Sequence, residues 1–227
     1  MISILPRLNN LSFQWPLQWN RALAALAVGI LAVLPGCAGH ADTLVDTVTE
    51  AEQIALVLGL EPGMQVADVG AGDGEWTEEI AQRVGPLGQV FSTEVTEDNV
   101  EEIRERIGGA GLDNVTVILG GETATGLKEN CCEAILLRRV YHHFTHPAEL
   151  RADLRRALRP GGVIAVIELP PQTSWSDLEG VPDRGGHGIS PEDLVAEMTR
   201  EGLFEPVRTY DTWPEDRDID NYCVVFK

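Results

Sequence analysis

Short apolar blocks recur along the chain, and stretches with helical spacing separate them. Asp46 to Leu58 sets Val48, Ala51, Ile54, Ala55 and Leu58 on one helical face, and Glu61-Pro62-Gly63 ends that element. Beyond it the pattern alternates. Strands are predicted over 65–69, 89–93, 115–119, 134–138 and 163–168, with helices over 75–83, 97–107 and 147–158. Glu97 and Asp98 favour the start of the second of these helices, and Gly108-Gly109 is expected to stop it. Pro147 suits a first helical turn, and Pro160-Gly161-Gly162 should end the helix that it opens. The segment 169–189, rich in Pro, Gly and Asp, reads as a long loop of the kind that serves as a lid or binding segment. Ser190-Pro191-Glu192-Asp193 caps a helix ending near Gly202, and Phe204–Tyr210 with Tyr222–Phe226 reads as a closing hairpin. Repeated strand-helix units imply an α/β fold, a parallel sheet with helices on both faces.

Charge changes the picture at the amino terminus. No Asp or Glu precedes Asp42, and Arg7 and Arg21 are the only charges in the first 36 residues. Ala22 to Leu34 is an unbroken apolar run, followed by small residues up to Ala41. That is the layout of a secretory signal, too short for the ~20 residues that span a bilayer. Leu34-Pro35-Gly36-Cys37 resembles a bacterial lipoprotein box, with Pro35 as a departure, so lipidation at Cys37 and plain cleavage after Ala41 both stand open. The chain is thus divided into a targeting segment, 1–41, and a folded domain, 42–227. Positive charge before the apolar run and acid after it put the domain outside the cytoplasm; a misassigned start would make it cytoplasmic. The net charge of −19 argues against nucleic acid and anionic lipid surfaces, leaving the membrane only through the amino-terminal segment or a lipid on Cys37. With 44% hydrophobic residues the chain can bury a full core. The four cysteines offer no C-x-x-C pair, and Cys131, Cys132 and Cys223 read as buried, unpaired thiols.

Candidate chemistry begins at Val66-Ala-Asp-Val-Gly-Ala-Gly-Asp-Gly-Glu-Trp-Thr77. Strand, glycine turn, helix is how an α/β protein brings bare backbone against a ligand. The third glycine of a dinucleotide fingerprint would fall at Glu75, and no phosphate-binding G-x-x-x-x-G-K-[ST] occurs. Three further features bear on the ligand. Glu94 ends the second strand, where a carboxylate can accept both ribose hydroxyls. Gly121-Glu122-Thr123 follows the third strand, where a side chain could meet an adenine edge. Leu137-Arg138-Arg139-Val140-Tyr141-His142-His143 follows the fourth.

Together these motifs resemble the class I S-adenosylmethionine-dependent methyltransferases, in particular the small-molecule branch with a type 11 or 25 domain. The resemblance covers roughly residues 45–227. It implies a Rossmann-like, seven-stranded, mostly parallel sheet whose last strand is antiparallel, with S-adenosyl-L-methionine as cofactor. It assigns Asp68, Gly70, Gly72 and Gly74 to the methionine part, Glu94 to the ribose, and Glu122 and Thr123 to the adenine. Arg138 or Arg139 would face the methyl group. A cofactor without phosphate but with sulfonium and ammonium charges suits an acidic site.

Methyl transfer needs mainly an aligned acceptor, and a base only where the acceptor must lose a proton. Tyr141, His142 and His143 lie beside the expected methyl position, and His187 in the long loop could close over it. Each is a candidate for the acceptor side. Adjacent histidines such as His142, His143 and His146 do not fix a coordination geometry, so no metal is expected. The function expected is methyl transfer to a small-molecule acceptor of unspecified identity. An exported, non-catalytic binding protein on the same fold is the alternative.

Overall fold

The computed structural model describes residues 49–176, 179–214 and 220–227. The expected targeting segment, the Cys37 alternative and the first residues of the opening helix lie outside the described residues. Helix α1 (Glu50–Leu58) opens with a capping box: the Thr49 hydroxyl accepts from the Glu52 N–H, and the Glu52 carboxylate accepts from the Thr49 N–H at 2.7 Å. Then follow β1 (Gln65–Val69), α2 (Glu75–Val84), β2 (Gln89–Glu94), α3 (Glu97–Ala110), β3 (Val115–Leu119) and β4 (Cys132–Arg138). A 3-10 turn at Tyr141–His143 leads into α4 (Pro147–Ala157) and β5 (Leu158–Glu168). Helix α5 (Pro191–Met198) and the hairpin β6 (Pro206–Trp213) and β7 (Asn221–Phe226) complete the chain.

The seven strands form one sheet in the order β3-β2-β1-β4-β5-β7-β6. Strands β1 to β5 are parallel, and β7 runs antiparallel to both β5 and β6. Chain order reverses between β1 and β4, which opens a crevice beyond their carboxyl ends. The central strands are buried on both faces, and their period of two splits the core. Ala67, Val69, Ile135, Leu137 and Val166 face α4 and α5, meeting Leu154, Leu194 and Met198. Val66, Ala134, Leu136, Ala165 and Ile167 face α1 and α2, meeting Ile54, Leu58, Ile80 and Val84. Sandwiching the sheet this way fixes where β1, β2, β4 and β5 end, and those ends carry the site.

Several element boundaries differ from expectation. Helix α3 runs through Gly108 and Gly109 to Ala110, because the left-handed cap is Gly111 at φ 66°, whose N–H bonds back to Ile107 and Gly108. Helix α4 ends at Ala157, and β5 begins at Leu158, paired with Cys132 across a register irregularity. Helix α5 stops at Met198, and Arg200–Gly202 is a separate 3-10 turn. Phe204 is buried in the core ahead of β6, which starts at Pro206. Two of the thiols differ: Cys131 and Cys132 are joined to each other, while Cys223 in β7 is free and buried, as expected.

Candidate active site

The turn after β1 is built to be bare. Gly70, Gly72 and Gly74 all have positive φ (68°, 60° and 82°). A Cβ at Gly70 would overlap the Val140 side chain, so the turn after β4 can close against it only if this residue is glycine. Gly70 and Ala71 each donate their N–H to the Thr93 carbonyl at 3.0 and 3.1 Å. Glu94 completes the turn. One carboxylate oxygen accepts from Gly72 N–H at 2.8 Å and the other from Val95 N–H at 2.9 Å. The carboxylate at the end of β2 therefore ties the glycine turn to its own strand end. It is buried, and it does more for the fold than a free ligand-facing group would.

Gly74 departs from the expected role. It is the N-cap of α2, packs within reach of Ile103 and Arg106 of α3, and does not line the cleft. Its φ lets α2 and α3 approach, while Gly70 and Gly72 line the cleft. Asp68, one residue before the end of β1, does line the cleft, and it is buried. One of its oxygens accepts from the Thr77 hydroxyl at 2.7 Å, and Thr77 in turn lies 2.7 Å from the Ser92 hydroxyl. Burial raises the Asp68 carboxyl to about 6, against the pull of Thr77 and with help from the nearby charge of Glu94.

The cleft so formed has a volume of about 610 Å³. Glu122 lies on its wall beyond β3, while its neighbour Thr123 is exposed and does not line it. Trp76 on α2 and Asn99 on α3 do line it and went unpredicted. Their signal is positional: each sits in the first turn of a helix that starts at the cleft. Arg138 lines the cleft too, but its guanidinium is committed elsewhere. It grips Glu50 of α1 through two bonds of 2.8 and 2.9 Å and stacks 4.5 Å above the Trp76 ring. Arg139, at φ 56°, turns the chain out of the sheet.

The acceptor-side candidates separate into two groups. Tyr141 is fully buried and reaches away from the cleft: its hydroxyl donates to Glu197 at 2.9 Å and accepts from Arg151 at 3.3 Å. Burial, reinforced by the Glu197 charge, holds this phenol far above its ordinary range. Arg184 of the long segment pairs with the same Glu197 at 2.9 and 3.0 Å. Tyr141, expected on the acceptor side, is here a joint between α4, α5 and residues 169–189, and it lines neither cleft.

The three histidines do come together. His143 lines the main cleft, and His142 and His187 line a smaller one beside it. His142 and His187 approach Nε2 to Nε2 at 3.2 Å, and the His142 and His143 rings stand edge to face at 4.2 Å. His146 is not part of the group; its ring lies toward Glu122 instead. The long segment reaches His142 because it folds back on itself: Gln172 and His187 exchange main-chain bonds of 2.8 and 3.3 Å. Behind His142 sits Glu168, the fully buried last residue of β5, 2.6 Å from Nδ1. Glu168 was not predicted. A lone acid closing the run Val163-Ile-Ala-Val-Ile167 was its signal, since a buried carboxylate needs a partner. Loss of solvent, and then the neighbouring His142 and His187 imidazoles, push His143 down to about 4, so its ring is neutral near pH 7.

Residues 67–166 match the family model of a methyltransferase domain. Over 125 residues the chain is 27% identical to the ubiquinone/menaquinone biosynthesis C-methyltransferase UbiE of Cupriavidus taiwanensis, covering 55% of this chain and 50% of that protein. The chain thus spans about half the length of the curated relatives it matches. Among solved structures it is similar to a SAM dependent methyltransferase from Aquifex aeolicus, at 22% identity and a TM-score of 0.63 over 79% of this chain and 89% of the other. It also resembles the glycopeptide N-methyltransferase MtfA complexed with sinefungin, at 17% identity and a TM-score of 0.60 over 79% and 85% of the two chains. At these identities the two structures establish the fold.

Proposed function

We propose that this chain, an S-adenosylmethionine-dependent methyltransferase of Rossmann-like fold, transfers the methyl group to a small molecule that enters on the His143 side of the cleft. The observation that carries the reading is the pairing of a bare glycine turn with a buried Glu94. Each Glu94 oxygen accepts one main-chain N–H and keeps a further lone-pair direction, so the carboxylate can still receive ribose hydroxyls. Asp68 sits where an ammonium group would ionise it fully. Glu122 stands at the adenine end. The five acids lining the cleft, Asp68, Asp73, Glu75, Glu94 and Glu122, suit a cationic ligand and repel a phosphate.

When bound, S-adenosylmethionine supplies an electrophilic methyl carbon on a sulfonium. The chain's own work is to hold and orient. The Gly70–Gly72 backbone leaves room, Glu94 and Asp68 fix the two ends, and Val140 and Phe144 on the turn after β4 shield the space between them from water. Calorimetry with the full chain should show one S-adenosylmethionine site. Transfer of labelled methyl should then be screened over phenols, reduced quinone-type rings, thiols and amines. The quinone-type rings come first because of the name borne by the UbiE relatives. Absence of cofactor binding would overturn the reading.

We place the domain outside the cytoplasm, bound to a membrane at most through its amino-terminal segment. The charge asymmetry around Ala22–Leu34 supports this. A reporter active only after export, fused behind residue 45, should be active; a silent fusion with a working cytoplasmic control would refute it. Cys37→Ala separates lipidation from plain cleavage, since only a lipoprotein loses its membrane attachment.

A further inference from the structure

We propose that His142, His143 and His187, with Glu168 behind His142, form a binding site for a divalent transition metal of the zinc class, at the acceptor end of the cleft. The protons decide it. Glu168 accepts from the His142 N–H at 3.2 Å and the Leu169 N–H at 3.3 Å, and faces Nδ1 of His142 at 2.6 Å. A carboxylate has only lone pairs to offer, so the proton of the His142 ring sits on Nδ1. His187 presents its own Nδ1 to the Ser176 carbonyl at 3.2 Å, and a carbonyl likewise only accepts. With both rings neutral, these bonds leave the Nε2 lone pairs bare, and those two atoms lie 3.2 Å apart. Two such nitrogens need a proton or a metal cation between them.

Several observations favour a metal as that cation. For a metal ~2.0–2.1 Å from each nitrogen, a 3.2 Å separation corresponds to an angle of roughly 100°, close to tetrahedral. His143 brings a third imidazole, and one nitrogen from each of the three rings lies within 4.8 Å of the others. The carboxylate behind a ligating imidazole is the arrangement that fixes ring orientation and raises basicity at metal centres. Glu168 is also a wholly buried carboxyl group, and among the described residues the His142 ring is its side-chain hydrogen-bond partner. A metal beyond that ring supplies the positive charge that burial otherwise lacks. Imidazole ligands with no thiolate favour zinc, copper or nickel over magnesium and calcium.

Three protein ligands leave a fourth position open, and His143 turns it toward the cofactor cleft. An acceptor hydroxyl or thiol bound there gives its proton to solvent. Its lone pair then forms the bond to the methyl carbon while the carbon–sulfur bond breaks toward sulfur. That role rests on the methyltransferase reading; the metal site itself does not.

The test uses the full chain stripped with chelator and titrated with Co2+, followed by visible absorption and competition with Zn2+. One equivalent should bind with the intense bands of a tetrahedral nitrogen site, and Zn2+ should displace it. His187→Ala and His143→Ala, both at partly solvated positions, should weaken binding at least tenfold while near-ultraviolet circular dichroism is retained. Glu168→Gln should weaken it by ~10–100-fold. S-adenosylmethionine binding, measured in parallel, separates the two claims. Cofactor binding without a metal site, or wild type and His187→Ala binding Co2+ equally, overturns the metal site and leaves methyl transfer standing. Metal binding without cofactor binding does the reverse.

Discussion

The glycine-turn wall of the cleft is made mostly of backbone, whereas the region behind the turn after β4, on the other side, is held together by side chains. Gly70, Gly72 and Glu94 are held by main-chain N–H groups and strand ends, so their geometry follows from the sheet itself. Tyr141, His142, His187 and Arg184 are placed by buried charges, Glu168 and Glu197, contributed by β5 and α5. A backbone-built wall is specified by local sequence and tolerates few substitutions. A side-chain wall is specified by residues far apart in the chain and can be retuned one contact at a time.

The two walls touch where Gly70 meets Val140, and the largest effect is expected there. Gly70→Ala combines a left-handed backbone, at ~1–2 kcal/mol, with overlap of Val140, at ~1–3 kcal/mol. Denaturant unfolding should show a loss of about 3 kcal/mol. Val140→Ala in the same chain should recover most of the overlap part, though not all, because its Cβ stays within 2.9 Å of the added carbon. Gly72→Ala has φ 60° but nothing within 4 Å of its added carbon, so it should lose the first part alone. Equal losses at the two glycines would mean that the walls are not in contact.

Asp68 belongs to the backbone-built wall yet has the cost of a buried charge. Its carboxyl titrates at about 6 in the fold against an ordinary 3.8. The folded state therefore keeps a proton that the unfolded chain has already lost between pH 4 and 6. From this group alone, stability falls as pH rises through that window, and the full cost is present above pH 6. Asp68→Asn should raise unfolding free energy at pH 7 by about 2–3 kcal/mol, and the variant-minus-wild-type difference should vanish near pH 4. Cofactor binding should respond in the opposite direction. A cationic ammonium needs the ionised acid, so wild-type affinity should fall about tenfold per pH unit below 6, and the Asn variant should bind weakly at every pH.

Glu94→Ala comes next. Charge-assisted bonds to a ribose contribute roughly 1.5–3 kcal/mol each in favourable cases, so cofactor affinity should drop ten- to a hundredfold. Because Gly72 and Val95 also lose their acceptor, a modest stability loss of about 1 kcal/mol should accompany it. Calorimetry at matched fractions folded separates the two. An unchanged dissociation constant would remove Glu94 from the cofactor site.

Most of the fold was legible because its elements follow local rules. Alternating apolar blocks gave all seven strands within a few residues, and Ser190 caps α5 as its position implies. Boundaries slipped where a cap depends on backbone angle and composition alone misleads. Gly108 and Gly109 continue a helix that the left-handed Gly111 ends. Asp68, Gly70, Gly72, Glu94 and Glu122 were legible as cleft-lining residues because each sits at or near a strand end. Gly74 and Thr123 share those positions without lining the cleft: Gly74 caps α2 against α3, and Thr123 is exposed. Glu168 and Glu197 were silent for a different reason. Their importance lies in partners 26 and 56 residues away in sequence, and only the packed sheet brings these together.

Tyr141 shows that limit in one residue. Its place after β4 suggested the acceptor side, but whether it or His142 faces the cleft is decided by a single 3-10 turn. Its hydroxyl has one acceptor and one donor partner, both charged: Glu197 at 2.9 Å and Arg151 at 3.3 Å. Tyr141→Phe removes the hydroxyl and leaves Glu197 with Arg184, so the buried carboxylate keeps a bidentate partner. The cost should be small, about 1 kcal/mol in denaturant unfolding. Turnover at saturating cofactor and acceptor should hold within twofold, because the phenol touches neither cleft. A larger response belongs to the segment that Arg184 fastens: limited proteolysis within 169–189 should quicken in the variant as the Glu197 knot loosens. A severalfold fall in turnover without a stability change would instead put the phenol in contact with substrate, through a rearrangement of the turn that exchanges the roles of Tyr141 and His142.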